Sequence, residues 1–115
     1  MKNKPSVVVY ATSLFAWPSI EALHEAGYLV GVITPDPQER TITQAALVLL
    51  LQTLQMKQIQ YEVVSKEKLA LIPTHLPHMQ ADIALCMTFS YLLPKEVLTH
   101  YPLGIYNCHA SALPA

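Results

Sequence analysis

The 115-residue chain has a formal net charge of −1 and only 13% charged residues, so it presents no basic footprint for DNA or tRNA, and its 52% hydrophobic fraction excludes disorder. At this length one core is enough, and folding buries roughly two thirds of the surface that the extended chain exposes. Cys86 and Cys108 fall inside apolar runs instead of framework spacings, and no signal peptide precedes the first strand-like run, which leads us to expect a cytoplasmic protein without disulfides.

Residues 6–11, Ser-Val-Val-Val-Tyr-Ala, form a continuous run of the kind buried on both faces of a parallel sheet, and they predict the first central strand. Thr12 and Ser13 then offer an N-cap. Pro18 is acceptable in a first helical turn, Ile20 and Leu23 supply an apolar face, and Gly27 is placed to stop the helix. Residues 28–34 read as the second strand, closed by Pro35-Asp36-Pro37. Residues 43–58 read as a helix, and within them the apolar run 45–51 is too short for the roughly 20 residues of a membrane span. That run is expected to be a buried helix. A third strand follows at 61–64, and the helix before it implies a right-handed crossover. Ser65 to Lys68 suit a short helical turn, while Pro73 and Pro77 keep the next stretch from becoming a long helix. Residues 81–88 give a fourth strand, 94–98 a short helix opened by Pro94, and 104–109 a fifth strand.

This alternation predicts an α/β, Rossmann-like open parallel sheet of about five strands with helices on both faces. Ligands in such sheets sit beyond the carboxyl ends of the strands, where Thr12, Phe89 and His109 are expected. On the last strand Asn107 and His109 share a face, with Cα atoms roughly 6.5 to 7 Å apart, and Cys108 points the other way. An amide and an imidazole on one face can converge on one reacting atom. The pattern alone also allows an ordinary strand end with exposed polar groups. Alternation argues against Cys108 as a nucleophile beside His109, and Pro77 between His75 and His78 argues against a metal clamp there. The turn after the first strand lacks Gly-x-Gly-x-x-Gly, which argues against a dinucleotide. Phe89, Ser90, Tyr91, Leu92 and Leu93 form an apolar loop at the ligand edge, either a pocket wall or packing beneath the next helix.

The run Asn107-Cys108-His109-Ala110-Ser111-Ala112-Leu113-Pro114 resembles the Asn-x-His-x-Ser-x-Leu-Pro signature of the folate-dependent formyltransferases, which act on methionyl-tRNA, glycinamide ribonucleotide or amino sugars. Leu92-Leu93-Pro94-Lys95-Glu96-Val97-Leu98 resembles the family's folate-loop segment, and residues 15–23 echo the tRNA-type members. The resemblance spans nearly the whole chain and implies that residues 1–115 are the N-terminal, cofactor-binding part of a formyltransferase domain. It implies a reaction in which an amine attacks the formyl carbon of 10-formyltetrahydrofolate. It also implies that Asn107 donates to the developing oxyanion, that His109 stabilises that charge and moves the proton, and that Phe89, Ser90, Tyr91, Leu92 and Leu93 hold the pterin.

The chain departs from the family pattern in three places. The family's catalytic aspartate lies beyond the signature, Ala11 stands where the family has a glycine, and residues 37–41 replace a glycine-rich acceptor loop. The expectation is therefore an incomplete fragment with little activity alone, an undetermined amine acceptor (methionyl-tRNA-like or amino-sugar-like), and self-association through an uncovered sheet edge. Two alternatives stand beside it: a formyltetrahydrofolate hydrolase of the same architecture, and a non-catalytic folate-binding or assembly module.

Overall fold

The structure is a computed structural model that describes residues 4–39 and 44–108. Its strands are β1 (Val7–Ala11), β2 (Leu29–Pro35), β3 (Tyr61–Val64), β4 (Ile83–Met87) and β5 (Ile105–Cys108). All neighbours pair in parallel, in the order β3-β2-β1-β4-β5. The continuous apolar runs are central strands because both faces are covered, and every residue of β1 is buried. The expected open parallel α/β sheet is thus observed, with strand ends shifted by a residue or two.

Ser13 accepts the Phe15 N–H at 3.3 Å and caps a short 3₁₀ turn, Leu14–Ala16, which runs into α1 (Trp17–Glu25). Pro18 lies in the first turn of α1, and Gly27 ends the helix at φ +81°, its N–H donating to the His24 carbonyl at 3.1 Å. The next helix, α2 (Gln44–Met56), corrects one expectation. It is not buried all round: Leu47, Leu50 and Leu54 are fully buried, whereas Val48 and Leu49 of the same apolar run are exposed. A turn of about 100° per residue carries those two to the outer face whatever their hydrophobicity. The prolines break the following stretch as expected, into a 3₁₀ turn (Lys66–Leu71), the short α3 (Ile72–His75) and another 3₁₀ turn (Pro77–Met79). Pro94 stands just outside α4 (Lys95–Leu98), at its N-cap.

Two cores sandwich the sheet. On one face Val7, Val9, Val32 and Met87 pack with Ile20 of α1 and with Leu50 and Leu54 of α2. On the other, Val8, Tyr10, Ile33 and Cys86 pack with Ile72, Met79, Val97 and Tyr101. Each fully buried Leu or Ile contributes roughly 1.5–3 kcal/mol of apolar transfer free energy. Gly31 lets the Pro77–Met79 turn close onto β2, because a Cβ there would lie 2.7 Å from Met79 Sδ and 3.0 Å from the Gln60 carbonyl. The amino ends of β1 and β4 are pinned together. Ser6 N–H donates to Asp82 Oδ2 at 2.9 Å, and Asp82 N–H donates to Ser6 Oγ at 3.1 Å.

From β1 the chain winds outward through β2 to β3, then returns to place β4 on the other side of β1. Strand order therefore reverses between β1 and β4. Connections leaving these two strands depart to opposite sides and open a crevice at their carboxyl ends.

Candidate ligand cleft at the carboxyl ends of the strands

Across the crevice, hydroxyls tie the residues after β1 to those after β4. Ser90 N–H donates to Thr12 Oγ1 at 3.0 Å, the Ser90 hydroxyl meets the same oxygen at 3.1 Å, and the Ser13 and Thr88 hydroxyls lie 3.4 Å apart. Thr88 sits at φ +58°, a conformation costly for a β-branched residue, so β4 ends in a strained turn that redirects the chain toward Phe89.

The loop that follows is both wall and packing. The Phe89 ring meets Tyr10 edge-on at 5.2 Å and Tyr91 at 5.5 Å, and the Tyr10 ring meets Tyr101 at 6.3 Å. Such edge-to-face contacts are worth about 0.5–1.5 kcal/mol each beyond the area they bury. The Tyr10 and Tyr101 hydroxyls share a buried 2.5 Å hydrogen bond, which supplies each with a partner inside the core. Tyr91 is itself buried, and its hydroxyl donates to Glu39 Oε1 at 2.6 Å.

Beneath this loop lies a cleft of about 400 Å³, lined by Cys86, Phe89, Tyr91, Leu92, Leu93, Leu98, Ile105 and Asn107. Asn107 pairs in register with Cys86 and therefore projects on the cleft face of the sheet. Cys108 projects to the other face, against the core that holds Met87, as alternation predicts. Of the loop residues singled out from sequence, Phe89, Tyr91, Leu92 and Leu93 line the cleft, with Leu92 fully out at its rim. Ser90 does not line it; its hydroxyl and N–H are spent on Thr12. His109 lies outside the described residues, as does the rest of the signature up to Ala115.

Electrostatics sort the titratable groups. Burial, aided by the nearby Cys108, pushes the Cys86 thiol up to about 11, so at neutral pH it is a small apolar wall group. Burial and the neighbouring Tyr101 hold the Tyr10 phenol well above its usual value. Tyr91 is raised by burial and then by its bond to Glu39, whereas Glu39 is lowered by that same bond and by the Lys66 backbone N–H. The proton therefore rests on Tyr91 and the charge on Glu39.

A second cavity of about 260 Å³ opens at the carboxyl ends of β2 and β3, lined by Asp36, Ser65, Lys68 and His75 among others. His75 faces this cavity, while His78 bonds Glu62 Oε2 at 2.8 Å, so the two histidines turn to different neighbours. Among the described residues no three His, Cys, Asp or Glu side chains gather as metal ligands. Nor, among them, is any helix long and apolar enough to cross a membrane.

Sequence reasoning did not single out Glu39 or the hydroxyl pairs across the crevice. Their partners lie 27 to 78 residues away, and no local spacing announces them.

A doubly wound parallel sheet with a cleft at the carboxyl ends, beside its strand-order reversal, defines a Rossmann-like fold. A family profile described as formyl transferase matches residues 4–115, and the chain belongs to that family. It is 36% identical, over 94% of its length and 34% of the relative's, to a methionyl-tRNA formyltransferase of Synechococcus sp. (strain RCC307). It is 30% identical, over 94% of its length and 33% of the relative's, to one of Synechococcus sp. (strain WH7803). A methionyl-tRNA formyltransferase of Prochlorococcus marinus (strain MIT 9303) is 30% identical over 94% of this chain and 32% of that protein. The chain spans about a third of the length of these relatives.

Proposed function

We propose that residues 1–115 form the N-terminal, cofactor-binding part of an enzyme that transfers a formyl group from 10-formyltetrahydrofolate to a primary amine. The observation that carries this reading is the placement of Asn107: its side chain lines the same cleft as Phe89 and Leu93, in a chain of the formyl transferase family. The lining suits the donor. Leu93, Leu98 and Ile105 offer apolar surface to a flat heteroaromatic ring, the Phe89 and Tyr91 rings close one side, and the loop backbone can serve the ring's hydrogen-bonding edge.

Bound there, the donor would supply an electrophilic formyl carbon. The chain supplies the environment around it. Asn107 is exposed at the cleft, so its amide N–H is free to turn toward an oxygen that gains negative charge as the amine attacks. His109, two residues further along the sequence, is assigned the stabilisation of that charge and the movement of the amine proton to the leaving nitrogen. Ser90 holds the loop to Thr12 instead of contacting the ring, so its role in ligand binding is to keep Phe89 and Tyr91 in place. Among acceptors, the names of the relatives favour methionyl-tRNA. The net charge of −1 argues that contacts to the nucleic acid come from residues other than these.

The test is formyl transfer to methionyl-tRNA, with an amino sugar and water as competing acceptors, by a protein carrying this chain and its Asn107→Ala variant. Loss of one oxyanion donor is expected to lower kcat about 10²- to 10³-fold with little change in KM for the donor. Formate release without an acceptor, at a rate matching transfer, would establish the hydrolase instead. Unchanged turnover in Asn107→Ala would refute the assigned role.

A further inference from the structure

Glu39 joins three segments that are far apart in sequence. Its Oε1 accepts from the Tyr91 hydroxyl at 2.6 Å and from the Lys66 backbone N–H at 2.7 Å. The carboxylate is presented by a preformed turn after β2: Glu39 N–H donates to the Asp36 carbonyl at 3.0 Å, and Gln38 N–H donates to Asp36 Oδ1 at 2.9 Å. The Gln44 side chain closes the turn onto the start of α2, donating to the Pro37 carbonyl at 2.6 Å. Hydrogen bonds to an ionised acceptor are roughly twice as strong as neutral ones, and the turn fixes the backbone from which the carboxylate reaches out.

Tyr91 has two ends with different duties. Its ring stands edge-on to Phe89 and lines the cleft, while its hydroxyl reaches the turn after β2. A shift of the ring cannot leave the turn untouched. We propose that Glu39 is a positioning residue, whose carboxylate locks the loop after β2 to the cleft wall through Tyr91, so that this loop and a ligand in the cleft are held in one register. The lock stands on the geometry above; that the ligand is the formyl donor rests on the reading of the cleft as a folate site.

Amide hydrogen exchange on the 115-residue chain tests it, without ligand and then with 5-formyltetrahydrofolate as the probe. Tyr91→Phe keeps the ring and removes only the hydroxyl; Glu39→Ala removes the acceptor; Glu39→Gln keeps an acceptor oxygen without the charge. Without ligand, Tyr91→Phe and Glu39→Ala should each speed exchange at the Lys66 amide by roughly fivefold or more, the size of one lost hydrogen bond. Glu39→Gln should fall between them and the parent, and the amides of β1 should stay as protected as before. Exchange at Lys66 unchanged in Tyr91→Phe, or an equal rise in β1 from global loosening, overturns the lock. With the probe, compared at equal occupancy of the two chains, the parent should gain protection at Gln38 and Glu39, and Tyr91→Phe should lose that gain. Equal protection in both also overturns it. If the probe binds no form of the chain, the folate reading of the cleft fails, and the exchange without ligand alone decides the lock.

Discussion

Thr34 carries a hydroxyl into a fully buried position of β2, and its Oγ1 finds no hydrogen-bond partner among the described residues. An unsatisfied buried hydroxyl costs about 1–3 kcal/mol, and valine has nearly the same shape. Thr34→Val is therefore expected to raise the unfolding free energy by about 1 kcal/mol, seen as a higher urea midpoint at an unchanged slope; a lowered midpoint would show that the hydroxyl is used. Other residues were legible from alternation alone. Asn107 and Cys108 lie on opposite faces of β5 because successive strand side chains must, so the separation of the amide from the thiol could be read before any fold was known. The division of labour within the loop after β4 was not legible. Phe89 and Tyr91 pack, Leu92 stands at the rim and Ser90 turns back to Thr12, and those choices depend on neighbours delivered by other strands.

Among the elements, β5 is, like β3, an edge strand of the sheet. It pairs with β4 on one side, and no strand among the described residues covers its other edge. Ile105, Tyr106, Asn107 and Cys108 include neither the lysine nor the proline that commonly blunts an edge, and Tyr106 and Leu103 beside it are exposed. Self-association of this chain through β5 is the expected outcome, seen as a sedimentation coefficient that rises with concentration. Tyr106→Lys should suppress it by placing a charge at the edge. Independence of the sedimentation coefficient from concentration would refute the expectation. The strands and α1 were readable because apolar runs, caps and prolines act locally: Ser13, Pro18 and Gly27 each do what their chemistry dictates. The outward face of α2 was obscured because seven consecutive apolar residues carry no polar mark of which side meets water.

For the whole molecule, buried acids are expected to weaken the fold as pH rises into the alkaline range. Burial holds Tyr10, Tyr101 and Tyr91 above their usual 10.0 and lifts Cys86 from 9.0 to about 11. Where a folded-state pKa is raised, the unfolded chain loses its proton first. The contribution of these groups is then complete below the unfolded values and is lost as pH rises through the folded ones. Urea denaturation should therefore show stability falling from pH 9.0 toward about 11, beginning with Cys86. In Cys86→Ala the first part of that fall should disappear. A stability flat across this window would show that folding does not raise the pKa of these groups.

The sequence by itself determined the α/β alternation, the parallel sheet, the faces of Asn107 and Cys108 and the family resemblance. Each depends on period, on turn chemistry or on a contiguous motif, all of which act within a few residues. Only the tertiary structure decided which strands meet at the reversal between β1 and β4, and hence that Thr12 faces Ser90 and that the loop after β4 walls a cleft. It alone brought Glu39 to Tyr91 and Lys66, because hydrogen bonds across 27 and 52 residues arise from strand order and helix packing, which no local pattern encodes.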